Sequence, residues 1–144
     1  QGLDFWLGGI IVPHTKGDSR HSDADVLIHT ICDALLGAAN MGDIGKHFPD
    51  TSAEYKGIDS KILLKEVVRL ISEKGFSIGN IDSTICLQTP KIGKYIPEMQ
   101  RVLASCMDID IEDVSIKATT TEKLSFVGRE EGVSAYATVL IQKN

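Results

Sequence analysis

Two imidazoles and two carboxylates crowd into one nine-residue stretch, His21-Ser22-Asp23-Ala24-Asp25-Val26-Leu27-Ile28-His29. It joins a polar loop to a strongly apolar helix, and a metal-assisted phosphate site is one of the few reasons to hold such groups there. Asp25, His29 and Asp33 follow one another at i, i+4 and i+8, so they form a single polar stripe. Leu27, Ile28, Ile31, Cys32, Leu35, Leu36 and Ala39 flank it, which places the stripe in or beside buried structure. An imidazole there can ligate zinc through one nitrogen while a carboxylate or carbonyl fixes the other. The spacing serves equally for a core histidine hydrogen-bonded to Asp25 or Asp33, and leaves both readings open. His21 precedes the helix start, where unpaired N–H groups and the positive helix end attract phosphate, and the Ser22 hydroxyl adds a donor. Alternatively Ser22 only caps the helix and His21 faces water.

Four further constellations carry chemistry. Asp43-Ile44-Gly45 and Phe48-Pro49-Asp50 set carboxylates on a glycine- and proline-shaped loop, where they serve the turn backbone or hold the hydroxyls of a polyol. Gln88-Thr89-Pro90-Lys91 lies at a strand end, a frequent ligand position, and Lys91 can neutralise one phosphate or is an ordinary solvated loop lysine. Thr119-Thr120-Thr121-Glu122-Lys123 offers three hydroxyl donors and a hard oxygen ligand for Mg²⁺ or Mn²⁺, or is a plain strand end with a capping Glu. Phe126 and Arg129 make an aromatic lip with a diphosphate-binding guanidinium, or a surface turn whose phenylalanine packs inward.

The elements that must position these groups follow from periodicity. An opening strand is expected over Phe5 to Val12, with Gly8-Gly9 as a bulge or a close backbone approach, ended by Pro13. Ser22 with Asp25 makes a capping box for a helix reaching about Asn40. A glycine-bearing loop, Met41 to Asp50, follows. A second helix starts at Asp59 or Ser60 and ends near Lys74, with Gly75 as C-cap. Ile81, Ile85 and Leu87 punctuate a strand from about Ile78 to Gln88, and Pro97 opens a helix to about Met107. Val114, Ile116 and Ala118 alternate with polar residues in one strand, and Val133 to Ile141 is a nearly unbroken apolar one. Strands interleaved with three helices give an α/β or α+β fold, one sheet covered by helices, whose other face needs cover that oligomerisation supplies.

The 144 residues fit one domain with a modest core, and 42% hydrophobic content indicates a globular protein. The three cysteines, Cys32, Cys86 and Cys106, are odd in number and lack CxxC spacing, which reads as reduced thiols in a cytoplasmic protein. A net charge of −5 disfavours nucleic acid as a partner, yet a locally positive pocket can still hold a small anion. No apolar run has the length to cross a bilayer, so a membrane partner is not expected, and the start of the chain does not resemble a signal peptide.

Taken together, these blocks resemble the 2-C-methyl-D-erythritol 2,4-cyclodiphosphate synthase family of the non-mevalonate isoprenoid pathway. The resemblance is carried in chain order by Gly8-Gly9 with Ile11-Val12-Pro13, His21 to Val26, His29, Asp33 to Ala38, Asp43-Ile44-Gly45, Phe48-Pro49-Asp50, Gly79-Asn80, Pro90-Lys91, Lys117 to Leu124, Gly128-Arg129 and Glu131-Gly132. It spans almost the whole chain and is far more specific than any one motif.

The resemblance implies an α+β fold: one mixed sheet covered by helices on one face, the sheets packed around the three-fold axis of a homotrimer with active sites shared between subunits. It implies a lyase that converts 4-diphosphocytidyl-2-C-methyl-D-erythritol 2-phosphate into the 2,4-cyclodiphosphate by attack of the 2-phosphate on the β-phosphorus, releasing CMP. By similarity His29 is a zinc ligand and Glu122 holds a second divalent ion, Mg²⁺ or Mn²⁺. His21 and Thr120 act on the phosphates, with Ser22, Thr119 and Thr121 beside them. Asp43, Ile44 and Gly45 meet the erythritol, next to Phe48, Pro49, Asp50, Thr51 and Ser52. Leu87, Gln88, Thr89, Pro90, Lys91, Ile92 and Gly93 of the adjoining subunit receive the cytidine. Phe126 and Arg129 resemble residues lining an axial channel where some members bind an isoprenoid diphosphate. One departure stands out: the family takes two more zinc ligands, an Asp-x-His pair, from a strand upstream of Gly8-Gly9. Here Asp4-Phe5-Trp6 has tryptophan where histidine would be needed, so Asp4 is not carried over, and the expectation is that this strand precedes Gln1.

Overall fold

The computed structural model describes residues 4–14, 24–49, 57–120 and 132–144. The opening segment is not one strand. β1 (Trp6–Leu7) and β2 (Ile10–Ile11) pair antiparallel as a tight hairpin, with Leu7 opposite Ile10. Gly8 and Gly9, at φ 62° and 85°, form the turn. A two-residue hairpin loop requires that left-handed backbone, which glycine adopts without strain.

Four helices follow or interleave the remaining strands: α1 (Val26–Ala38), α2 (Ile44–His47), α3 (Gly57–Glu73) and α4 (Ile96–Met107). Asp25, not Ser22, is the N-cap of α1, accepting the Ile28 N–H. The helix stops at Ala38, and Asn40 turns the chain at φ 58°. Lys74 Nζ donates to the Ala39 carbonyl at 2.6 Å, satisfying an orphan acceptor at that end. α2, a single turn within the stretch expected to be loop, is capped by Asp43, whose carboxylate accepts the Lys46 N–H. Pro97 lies in the first turn of α4, where its missing N–H is harmless. The buried stripe of α3, Ser60, Leu63, Leu64, Val67 and Ile71, recurs at helical spacing and joins the core.

Three strands make the main sheet among the described residues: β3 (Phe76–Leu87), β4 (Val114–Thr119) and β5 (Val133–Lys143), in the order β4-β3-β5. β3 pairs parallel with β4 and antiparallel with β5, so the sheet is mixed and the fold is α+β. The parallel pair needs a crossover, which α4 provides. Ile81, Ser83, Ile85 and Leu87 are buried on the face that meets the helices. Leu87, Ile85, Ser83 and Ile81 stand opposite Val133, Ala135, Ala137 and Val139, so β5 alternates and does not bury both faces. The other face carries Thr84, Tyr136, Thr138, Leu140 and an Asp82–Lys117 ion pair of 2.7 Å; Tyr136 and Leu140 are each 64% exposed. No helix among the described residues is long and apolar enough to cross a membrane.

Candidate active site

Because β3 and β4 are parallel, their carboxyl ends lie side by side, the position where open α/β sheets gather ligands. The register sets Cys86 opposite Thr119, which brings the chain after Leu87 alongside Thr119 and Thr120. A cavity of about 240 Å³ opens there, lined by Leu87, Gln88, Pro90, Lys91, Ile92 and Gly93 on one side and by Ala118, Thr119 and Thr120 on the other. Thr89 precedes Pro90 through a cis peptide. Leu87 and Ile92 are buried and give the cavity an apolar wall, while Lys91 and Thr119 are exposed and bring a cation and a hydroxyl to it. The Gln88 Oε1 is buried and has no hydrogen-bond partner among the described residues. An apolar slot beside a cation and hydroxyls suits a molecule with a flat ring at one end and phosphate at the other.

A second group sits on the helices. The Asp25 carboxylate is fully buried and accepts three backbone N–H groups, from Gly8 at 3.0 Å, Gly9 at 2.7 Å and Ile28 at 3.0 Å. Burial pushes its pKa above the ordinary carboxylate range, while those three N–H donors and nearby His29 pull it down. One side chain thus starts α1 and clamps the hairpin turn to it. Asp33 Oδ1 accepts the Ile44 N–H at 2.8 Å and so orients α2. Asp25 and Asp33 both serve backbone N–H groups, so the polar stripe holds α1 to its neighbours. His29, one turn into α1, has Nε2 3.3 Å from Ser60 Oγ of α3. Ser60 was not among the expected site residues; its signal is a polar residue at a core position of an amphipathic helix. Asp43, Ile44 and Gly45 lie at the start of α2, and Phe48 and Pro49 directly follow it. The described site residues therefore fall into two groups, one on α1, α2 and α3 and the other at the ends of β3 and β4.

His21, Ser22, Asp50, Thr51, Ser52, Thr121, Glu122, Phe126 and Arg129 lie outside the described residues. Among the described residues no group of three or more His, Cys, Asp or Glu side chains could hold a metal ion. His29 is a single imidazole, fewer than the three or four protein donors that zinc takes, so the described donors alone do not fit a zinc site.

The chain is 67% identical over 144 residues to the 2-C-methyl-D-erythritol 2,4-cyclodiphosphate synthase of Bacteroides thetaiotaomicron, covering 100% of this chain and 91% of that one. Its structure is similar to the bifunctional IspDF of Campylobacter jejuni, with a TM-score of 0.88 and 39% identity over 99% of this chain, which spans 38% of that longer protein. It is also similar to a CDP complex of IspF from Plasmodium falciparum, with a TM-score of 0.79 and 28% identity over 98% of this chain and 85% of that one. The YgbB family model matches residues 1–142, and by that match and those identities the chain belongs to the YgbB family.

Proposed function

We propose that the cavity at the ends of β3 and β4 holds the cytidine and phosphates of 4-diphosphocytidyl-2-C-methyl-D-erythritol 2-phosphate. The enzyme is a phosphorus–oxygen lyase that makes 2-C-methyl-D-erythritol 2,4-cyclodiphosphate and CMP. The observation that carries the site is the convergence of Leu87 to Gly93 with Thr119 and Thr120 in one cavity, with a cation and hydroxyls at its rim.

In the reaction an oxygen of the 2-phosphate bonds to the β-phosphorus while the bond from that phosphorus to the bridging oxygen breaks. CMP departs with that oxygen, and no water is consumed. Nucleophile and electrophile belong to one molecule, so folding the flexible diol correctly supplies most of the proximity, and the protein chiefly orients and neutralises. Lys91 neutralises phosphate charge. Thr119 and Thr120 donate hydrogen bonds to phosphate oxygens, and because the 2-phosphate is itself the nucleophile no serine or cysteine nucleophile is needed. Asp43 and Gly45, at the start of α2, orient the erythritol hydroxyls.

His29 would give one donor to a zinc ion and Glu122 one to a second divalent ion, Mg²⁺ or Mn²⁺. Bound cations would draw charge from the transferring phosphoryl group. His21 would assist from before α1, with Phe126 and Arg129 lining an axial channel able to take an isoprenoid diphosphate. The division of the site into two groups supports a homotrimer in which α1 and α2 of one copy face the β3–β4 cavity of the next. The free cysteines Cys32, Cys86 and Cys106 suit the reducing cytoplasm.

Incubating the protein and Mg²⁺ with the cytidine substrate should yield CMP and cyclic diphosphate in equal amounts. Release of inorganic phosphate instead would identify a phosphohydrolase and overturn the assignment.

A further inference from the structure

A second cavity, of about 570 Å³, lies between α3 and α4, away from the ends of β3 and β4. Lys61 and Lys65 from α3 and Arg101 from α4 surround it, Ile62 and Val102 supply apolar wall, and Cys106 is part of its lining. No acidic residue lines it among the described residues, in a chain whose net charge is −5. Among the described residues none of the three cations takes part in an ion pair; the described acidic side chains of α3, Glu66 and Glu73, are bound to Arg69 instead. Lys61 is held in place, its ammonium 5.6 Å from the centroid of the Trp6 ring. Lys61 and Lys65 are one helical turn apart, a spacing at which like charges repel. Arg101 adds a third positive charge from the facing helix. An anion in the groove would turn this repulsion into attraction, and the apolar wall would receive a short carbon body. The volume falls within the range of small-molecule sites.

We propose that the α3–α4 groove is a second binding site, for a small phosphorylated molecule carrying at least two negative charges. The groove lies on the helical side of the sheet, opposite the face that bears Tyr136 and Leu140, so it stays open if that face is covered by other copies. The groove adjoins the hairpin: Lys61 contacts Trp6 of β1, and the adjacent turn is clamped to the helix that carries His29.

Cys106 reports on the site directly. Iodoacetamide alkylation of Cys106 is followed by peptide mass spectrometry, in the unaltered protein and in Lys91→Met, whose nucleotide cavity is weakened, with inorganic pyrophosphate or with sodium chloride at matched ionic strength. Saturable protection by pyrophosphate of about five-fold or more is expected in both, following mass action. The Lys65→Gln/Arg101→Gln double variant, altered at two exposed positions, should keep its fold by circular dichroism and lose the protection. Absence of protection in the unaltered protein, its loss in Lys91→Met, or equal protection in the double variant overturns the proposal.

Discussion

Asp25 and His29 are one turn apart on α1 and do different work. Asp25 gathers three buried N–H groups, so Asp25→Ala strands all three donors and should destabilise the fold by about 3 kcal/mol or more, read by urea unfolding. Its raised pKa sets the sign of a pH effect. Between the ordinary carboxylate range and the raised native value, the folded chain binds the proton more tightly than the unfolded chain. The stability this group contributes is therefore greatest in acid and falls as pH rises through that window. Relative to Asp25→Asn, the unaltered protein should gain stability on acidification; a relative loss would show that the N–H donors outweigh burial. In the nucleotide cavity, Lys91→Met should raise KM by about ten-fold and leave kcat nearly unchanged if the lysine only anchors charge. Thr120→Ala should lower kcat by about 100-fold if its hydroxyl meets charge that develops during transfer. Steady-state CMP release separates the two. The place of Gln88 and Lys91 at a cavity was legible because a strand ends there. Their partnership with Thr119 and Thr120 was not, because it depends on the parallel register of β3 and β4, a contact between distant segments.

Among the elements, α1, α3, α4, β3 and β4 were legible in the sequence, since each buries one face and repeats accordingly, whereas β5 read as a nearly unbroken apolar run and alternates in the sheet. The hairpin was not legible. Alternation reads alike on both arms, and Gly-Gly serves a bulge as well as a turn; what decides is the pull of Asp25 on both glycine N–H groups. α2 is too short to show a period, and Asp43 reads equally as a turn residue or a cap. The hairpin turn also fits tightly against α4. A Cβ on Gly8 would come within 2.7 Å of Met99 Cγ, and on Gly9 within 2.6 Å of a Val102 methyl. Gly8→Ala combines that clash with a left-handed φ and should destabilise by about 2 kcal/mol or more. The urea midpoint should fall with an unchanged slope, and activity should fall too, because the hairpin and α1 share the Asp25 clamp.

For the whole molecule, the proposed homotrimer would form on the face of the sheet opposite the helices. Polar β-strand positions and the exposed Tyr136 and Leu140 make a surface suited to contact with other copies. Tyr136→Lys with Leu140→Lys should convert the proposed trimer to monomer in sedimentation velocity and reduce CMP release by about ten-fold or more, as expected for hot-spot positions. A variant that still sediments as a trimer would place the interface elsewhere. The clamp that joins hairpin to helix has a consequence for how descent is separated from chemistry. If His29 has the role proposed for it, a related chain that kept Asp25 and replaced His29 would inherit the architecture while forfeiting the reaction, so the aspartate would mark ancestry and the histidine trade.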